Sequence, residues 1–179
     1  LARVPMVYHV HSPAHRDTTY RVRNWLNAML ERGGLTGVPQ LICVSQSLRA
    51  YLLERGFDAS RISVVPNGVP THDCAEHRLP PNGTWILGTV ALLRPRKGIE
   101  VLLDAAAILR DEQVPITVRI VGPFESPEYE QALRQRVRHL RIDDRVEWVG
   151  FSKQSQQEMR KFDLFVLPSL FGEGMPMVV

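Results

Sequence analysis

Short apolar runs alternate with amphipathic segments along most of the chain, as expected for strands followed by helices. The apolar runs predict strands at 5–11, 41–44, 62–65, 85–91, 116–121, 145–149 and 163–167. The amphipathic segments predict helices at 19–31, 48–55, 98–110 and 155–161, and one that begins at 126–127. This alternation predicts an α/β fold with parallel sheets and helices on both faces.

Local start and stop signals place several helix ends. The glycine pair at 33–34 is expected to end the first helix, because glycine commonly follows a helix C-terminus. Ser45 and Ser47 are both candidates for the N-cap of the second helix. Ser126 is predicted to cap the helix that Pro127 begins.

A polar stretch without periodicity interrupts the alternation at 69–84 and includes Pro70, Pro80 and Pro81. We therefore predict an interdomain linker at 69–84, with one domain at 1–68 and another at 85–179. Because the chain begins without methionine and stops inside an apolar run, we also expect it to be a fragment.

Composition narrows the class of protein. The chain is 44% hydrophobic and 23% charged, which is ordinary for a soluble globular domain. We expect no secretory signal, and no apolar run approaches the roughly 18 residues of a membrane span. Cys43 and Cys74 match no metal or redox spacing, and Cys43 is expected to be a buried thiol. A cytoplasmic protein without a metal site is therefore predicted.

The net charge of +3 does not by itself indicate nucleic-acid binding. Arginines at 134, 136, 138 and 141 give one helix a basic face, but apolar residues alternate with them and no aromatic set accompanies them. A solvated helix face is favoured over a nucleic-acid surface. A weak attraction to anionic membrane surfaces stays open.

Three residues stand where an α/β sheet binds ligands, beyond the carboxyl ends of parallel strands. Glu173 lies between two glycines after the last strand, and it supplies an acceptor for sugar hydroxyls. Lys97 immediately precedes a helix whose N-terminal amides favour anions. His11 ends the first strand, where it can donate to a hydroxyl or a developing anion.

Three motifs in series carry a family resemblance. The first runs from Ile-Cys-Val-Ser at 42–45 through Ile-Ser-Val-Val-Pro-Asn-Gly-Val at 62–69, and the second spans 88–99 and contains Arg-Pro-Arg-Lys-Gly. The third joins Asp-Leu-Phe-Val-Leu-Pro-Ser at 163–169 with Glu-Gly-Met-Pro at 173–176. Their order resembles retaining glycosyltransferases of family four, which have the GT-B fold of two facing Rossmann-like domains. The resemblance covers nearly the whole chain. It implies that 1–68 is the C-terminal part of the acceptor-side domain and that 85–179 is a truncated donor-binding domain.

The resemblance also implies roles for single residues, in an active site between the two domains. Lys97 matches the family lysine that binds the donor diphosphate. Glu173 matches the first glutamate of a Glu, seven residues, Glu motif and would contact the transferred sugar. The second glutamate falls two positions beyond Val179. His11 matches a histidine that faces the donor sugar.

Other positions have weaker support or depart from the family. The backbone amides of Gly174 and Met175 are expected to line the phosphates, and the loop at Gly122 is expected to border the nucleotide base. Family members commonly carry arginine five positions before the lysine, where this chain has Leu92. Arg94 is a conjectured substitute, because a guanidinium suits phosphate; an ordinary loop arginine is the alternative.

The implied activity is transfer of a hexosyl sugar from a UDP-, GDP- or ADP-sugar to a hydroxyl of a glycan, lipid or small molecule. Retention of anomeric configuration, no cofactor beyond the donor, and no nucleic acid are expected. Contact with the inner face of a membrane stays open. Two alternatives remain: a nucleotide-sugar epimerase of the same fold, and a non-catalytic nucleotide-binding fragment. The chain alone is expected to show little or no turnover.

Overall fold

The computed structural model describes residues 4–13, 20–69, 80–171 and 173–177. The chain divides into two compact units, Leu1–His72 with Phe171–Val179, and Asp73–Leu170. We call these the first unit and the second unit. Residues after 170 group with the first unit rather than with the strand that precedes them. Most of the predicted linker, residues 70–79, lies outside the described residues.

The first unit is built on a parallel sheet in the order β1-β2-β3. Its strands are β1 (Val7–Val10), β2 (Gln40–Cys43) and β3 (Ile62–Val64), and its helices are α1 (Arg21–Leu35) and α2 (Gln46–Glu54). Ser45 caps α2 by accepting from the backbone N–H of Leu48 at 3.3 Å, which confirms one of the two predicted N-caps. The core consists of Val10, Leu35, Val38, Leu41, Cys43, Val44, Leu48, Leu52 and Ile62.

Cys43 is a buried free thiol, as predicted. Burial raises the pKa of this thiol above its ordinary value, and the nearby Arg49 charge opposes the shift. Cys43 therefore acts as a small apolar side chain in the core. Cys74 lies outside the described residues.

The predicted end of α1 is wrong. The glycine pair at 33–34 lies inside the helix, which continues to Leu35. Leu35 is only 5% exposed and belongs to the core of the first unit. Burying a leucine contributes about 1.5–3 kcal/mol, which offsets a cost of about 1 kcal/mol for each glycine. The predicted start at Thr19 lies outside the described residues.

The second unit is built on a parallel sheet in the order β6-β5-β4-β7. Its strands are β4 (Trp85–Val90), β5 (Ile116–Val121), β6 (Val146–Gly150) and β7 (Leu164–Phe165), and its helices are α3 (Ile99–Asp111), α4 (Pro127–Leu140) and α5 (Ser155–Met159). The observed β5 has the predicted bounds, whereas β7 is shorter than the predicted 163–167. The Asp163 carboxylate accepts from the Ile86 backbone N–H at 2.8 Å and so holds the start of β7 against β4.

The helices of the second unit bury their apolar stripes on this sheet. α3 buries Ile99, Leu102, Leu103, Ala106 and Ala107. α4 buries Leu133 and Val137 and has Ser126 as its N-cap, as predicted.

The basic residues of α4 lie on a solvated face, as predicted. Arg134 pairs with Glu130 at 2.7 Å, and Arg136 Nε donates to Asp104 at 2.9 Å. Arg138 and Arg141 are exposed. Across the described ranges, no helix is both long enough and apolar enough to span a membrane.

Candidate functional site

Strand order creates a topological switch point in the second unit. From β4 the chain moves to β5 and then β6 on one side of the sheet, and it returns with β7 on the other side of β4. β4 and β7 are neighbours in the sheet, but the chain leaves β4 towards β5 and does not leave β7 in that direction. A crevice is therefore expected between the carboxyl ends of β4 and β7. Open α/β sheets bind ligands in the crevice at such a point.

Lys97 lies where α3 begins after β4. Residues Pro95–Lys97 form a short 3₁₀ turn, and Gly98 adopts φ 65° as the N-cap of α3. A Cβ at position 98 would collide with the carbonyl oxygen of Pro168, which follows β7. Leu170 N–H donates to the Arg96 carbonyl at 2.9 Å. The segment after β7 is therefore packed against the turn that carries Lys97.

Arg94 begins the same turn and is partly buried. Its guanidinium lies 3.6 Å from a carboxylate oxygen of Glu125. Its Nε is buried without a hydrogen-bond partner among the described residues. Arg94, Arg96 and Lys97 thus bring three cationic groups to one turn. The expected contact of Arg94 with phosphate stays a prediction.

Carboxylates and a phenol adjoin these cations. Glu100 lies in the first turn of α3, and Glu125 faces Arg94. Burial raises the pKa of Tyr129 well above its ordinary value, and Glu100 raises it further. The phenol therefore stays neutral, and the charge at this end of the sheet comes from the basic turn and the two carboxylates.

Gly122 has a structural role at the end of β5. Its φ of 135° and its close approach to Ala91 leave no room for a side chain, because a Cβ would collide with the Ala91 carbonyl. Beyond it, Leu93 N–H donates to the Pro123 carbonyl, and Glu125 N–H donates to the Leu93 carbonyl, both at 2.9 Å. These bonds hold the loop after β5 against the loop that leads to Arg94.

A second group of predicted residues meets in the first unit. A Cβ on Gly174 would collide with the His11 carbonyl oxygen, so Glu173 and Gly174 lie beside the carboxyl end of β1. Asn67, after β3, donates its side-chain amide to the Met175 carbonyl at 3.3 Å. The rings of His9 and His11 lie 4.1 Å apart. Sequence reasoning missed this contact, which joins positions far apart in the chain.

The predicted site residues therefore form two groups. His11, Glu173, Gly174 and Met175 belong to the first unit. Arg94, Lys97 and Gly122 belong to the second. Among the described residues, no group of three or more His, Cys, Asp or Glu side chains is placed to hold a metal ion. The roles of these residues stay predictions.

Comparison with known proteins divides the chain near the same boundary, except that residues 171–179, which group with the first unit, match the same family model as the second unit. Residues 75–179 match the family model described as glycosyl transferases group 1, and residues 1–73 match the model described as glycosyltransferase family 4. EpsF of Bacillus subtilis (strain 168), which carries the name of a glycosyltransferase, is 27% identical over 195 residues. The match covers 100% of this chain and 49% of EpsF, so the chain spans about half the length of that relative.

Solved structures show the fold. HepE of Anabaena in complex with UDP and glucose superposes with a TM-score of 0.76 at 24% identity, over 99% of this chain and 50% of HepE. A mutant of S. aureus TarM in complex with fondaparinux, alpha-GlcNAc-glycerol and UDP gives a TM-score of 0.74 at 18% identity, over 95% of this chain and 33% of TarM. The predicted α/β class with GT-B relatives is confirmed. The chain belongs to the glycosyl transferases group 1 family.

Proposed function

We propose that these residues are part of a retaining glycosyltransferase, which moves a hexosyl sugar from a nucleotide-sugar donor to an acceptor hydroxyl. The observation that carries the proposal is the position of Lys97, where α3 begins at the switch point between β4 and β7. A cation beside helix N-terminal amides at such a point suits a diphosphate. Because the chain spans about half of EpsF, the proposal concerns the whole protein in which these residues occur.

The proposed donor-binding residues lie in 85–179. Lys97 stabilises charge on the leaving diphosphate as its bond to the sugar breaks, which is electrostatic catalysis at a preorganised site. Arg94 supplies a second cation in place of the arginine absent at Leu92. The loop at Gly122 borders the base. UDP is the first nucleotide to test, because HepE and TarM were solved with it, and GDP and ADP follow.

The proposed sugar-binding residues adjoin β1. Glu173 orients the transferred sugar, His11 donates a hydrogen bond to it, and the amides of Gly174 and Met175 face the phosphates. The contact of Gly174 with the His11 carbonyl supports a joint role for these neighbours. Residues 1–68 would serve the acceptor, which is a glycan, a lipid or a small molecule, with 69–84 as the linker.

Nucleotide binding tests whether Lys97 lies at a donor-binding site. Calorimetric titration of the chain with UDP, GDP and ADP is expected to show binding of at least one nucleotide. Lys97→Met should weaken that binding by about 10- to 100-fold, the effect of losing a hydrogen bond to a charged group. Lys153→Met removes an exposed lysine elsewhere in the second unit and should leave the affinity unchanged.

Two results would count against the proposal. Equal affinities of Lys97→Met and the wild type would remove Lys97 from the donor site. Nucleotide binding by a whole protein that transfers no sugar from any donor would favour the non-catalytic alternative instead.

A further inference from the structure

A loose ion pair joins Arg94 to the loop that follows β5. Nη1 of Arg94 lies 3.6 Å from a carboxylate oxygen of Glu125, and the two side chains are 27% and 49% exposed. A charge-assisted hydrogen bond would be shorter, at roughly 2.7–2.9 Å. The two groups therefore attract each other across a partly solvated gap, and a pair of this kind is weak.

The main chain keeps Glu125 beside Arg94 and leaves its side chain free to rotate. Glu125 N–H donates to the Leu93 carbonyl, and Leu93 N–H donates to the Pro123 carbonyl, both at 2.9 Å. Leu93 and Phe124 form a parallel β-bridge between the same two loops. These bonds fix the backbone of Glu125, whereas its half-exposed carboxylate can turn towards solvent without any movement of the loop.

Burial of one edge of Arg94 limits how an anion reaches its guanidinium. Nε is buried and has no hydrogen-bond partner among the described residues. An anion arriving from solvent therefore meets the terminal nitrogens, and Nη1 already faces Glu125. An oxyanion on Arg94 and the Glu125 carboxylate thus compete for the same end of the guanidinium.

A phosphate group is the stronger of these two competitors. Its oxygens can accept two parallel hydrogen bonds from a guanidinium, whereas Glu125 accepts none from Arg94 at 3.6 Å. Lys97 and the N-terminal amides of α3 favour an anion at the same turn. A diphosphate therefore displaces Glu125 from Arg94, but the ion pair that it breaks reduces its affinity.

We propose that Glu125 is an internal competitor of the donor diphosphate, paired with Arg94 before the donor binds and displaced from it when a phosphate contacts the guanidinium. The inference rests on the proposed function, since it takes Arg94 to bind phosphate, and it adds a residue that regulates the affinity of that site. Because the carboxylate stays within reach of Arg94, it also favours dissociation of the nucleoside diphosphate after transfer.

Calorimetric titration of the chain with UDP, GDP and ADP tests the proposal. Glu125→Gln should tighten binding of the nucleotide by about two- to fivefold, the range that an exposed ion pair supplies. The same change in an Arg94→Met background should give no gain, because no guanidinium remains to compete for. Glu112→Gln removes an exposed carboxylate at the opposite end of α3 and should leave the affinity unchanged.

The nucleoside of the same base supplies a second comparison. It has no phosphate, so the wild type and Glu125→Gln should bind it equally, and tighter binding by Glu125→Gln would overturn the proposal. A gain of equal size in the Arg94→Met background would also overturn it, by showing that Glu125 repels phosphate directly.

Two further results separate this inference from the proposed function. Nucleotide binding that depends on Lys97 but is equal in Glu125→Gln and the wild type would overturn the inference and leave the donor site in place. Failure of the wild type and every variant to bind any of the three nucleotides would contradict the donor site and the inference together.

Discussion

The two compact units share an alternation of strand and helix, but their arginine-bearing helices differ in what they bury. In the second unit, α4 buries Leu133 and Val137, and two of its arginines pair with carboxylates. In the first unit, α1 buries Ala28 and Leu35 and leaves five large apolar side chains exposed.

The difference shows that composition is a poor guide to which helix leaves apolar side chains exposed. In the sequence, α4 looks like the charged helix, since four arginines fall at 134–141. In the structure its charges are partly neutralised, and its apolar residues serve the core. α1 contains three arginines, as α4 does within its own bounds, but α1 leaves five large apolar side chains exposed. The two helices therefore differ in which apolar side chains they bury, and the number of charged residues does not reveal that difference.

Leucine truncation should give the largest difference between the helices. Leu133→Ala in α4 should lower the free energy of unfolding by about 2–5 kcal/mol, because Leu133 is 1% exposed in the core. Leu30→Ala in α1 should change it by less than about 0.5 kcal/mol, because Leu30 is 73% exposed. Urea denaturation of both variants makes the comparison. A large loss for Leu30→Ala would mean that Leu30 packs against protein.

Glycine substitution should give effects of opposite sign in the two units. Gly98→Ala should destabilise by about 2 kcal/mol or more, because φ is 65° and the new Cβ would meet the Pro168 carbonyl. Gly33→Ala in α1 should stabilise by about 0.4–1 kcal/mol, because nothing lies within 4 Å of its Cβ position. Thermal unfolding distinguishes these outcomes. Equal destabilisation by both changes would contradict the helical placement of Gly33.

A smaller contrast concerns pH. The pKa of Glu31 is raised by burial, so its contribution to the free energy of unfolding is fully present below the ordinary carboxyl pKa of about 4.3. That contribution declines as the pH rises from about 4.3 to the raised pKa. The pKa of Glu158 is lowered by hydrogen bonds from Arg119 and Lys161, so its contribution is present above the ordinary value and is lost as pH falls through the lowered pKa.

Unfolding free energies of Glu31→Gln and Glu158→Gln, each measured against the wild type from pH 3 to pH 7, should therefore change with pH in opposite directions. Parallel profiles for the two variants would contradict the assigned environments of these carboxyls.

Sequence patterns predicted much of the fold because local signals and tertiary packing agreed. The bounds of β5 and the capping by Ser126 followed from periodicity and cap chemistry. The end of α1 failed because burial of Leu35 outweighed two glycines, a balance that appears only in the packed core.

Less of the candidate site than of the fold could be predicted from the sequence. The motif order made Lys97 a candidate, but its position at a switch point depends on strand order, which periodicity does not determine. The hydrogen bond from Asn67 to Met175 joins positions with no local signal between them.

Sugar transfer with retained configuration is the central claim, and the configuration of the product tests it most directly. The whole protein that contains these residues would be incubated with UDP-, GDP- or ADP-sugars and a hydroxyl acceptor, and the glycosidic product analysed by proton NMR. We predict a product with the donor's anomeric configuration, whose formation Lys97→Met strongly reduces and Lys153→Met leaves unchanged. An inverted product, or transfer that is indifferent to Lys97, would contradict the account.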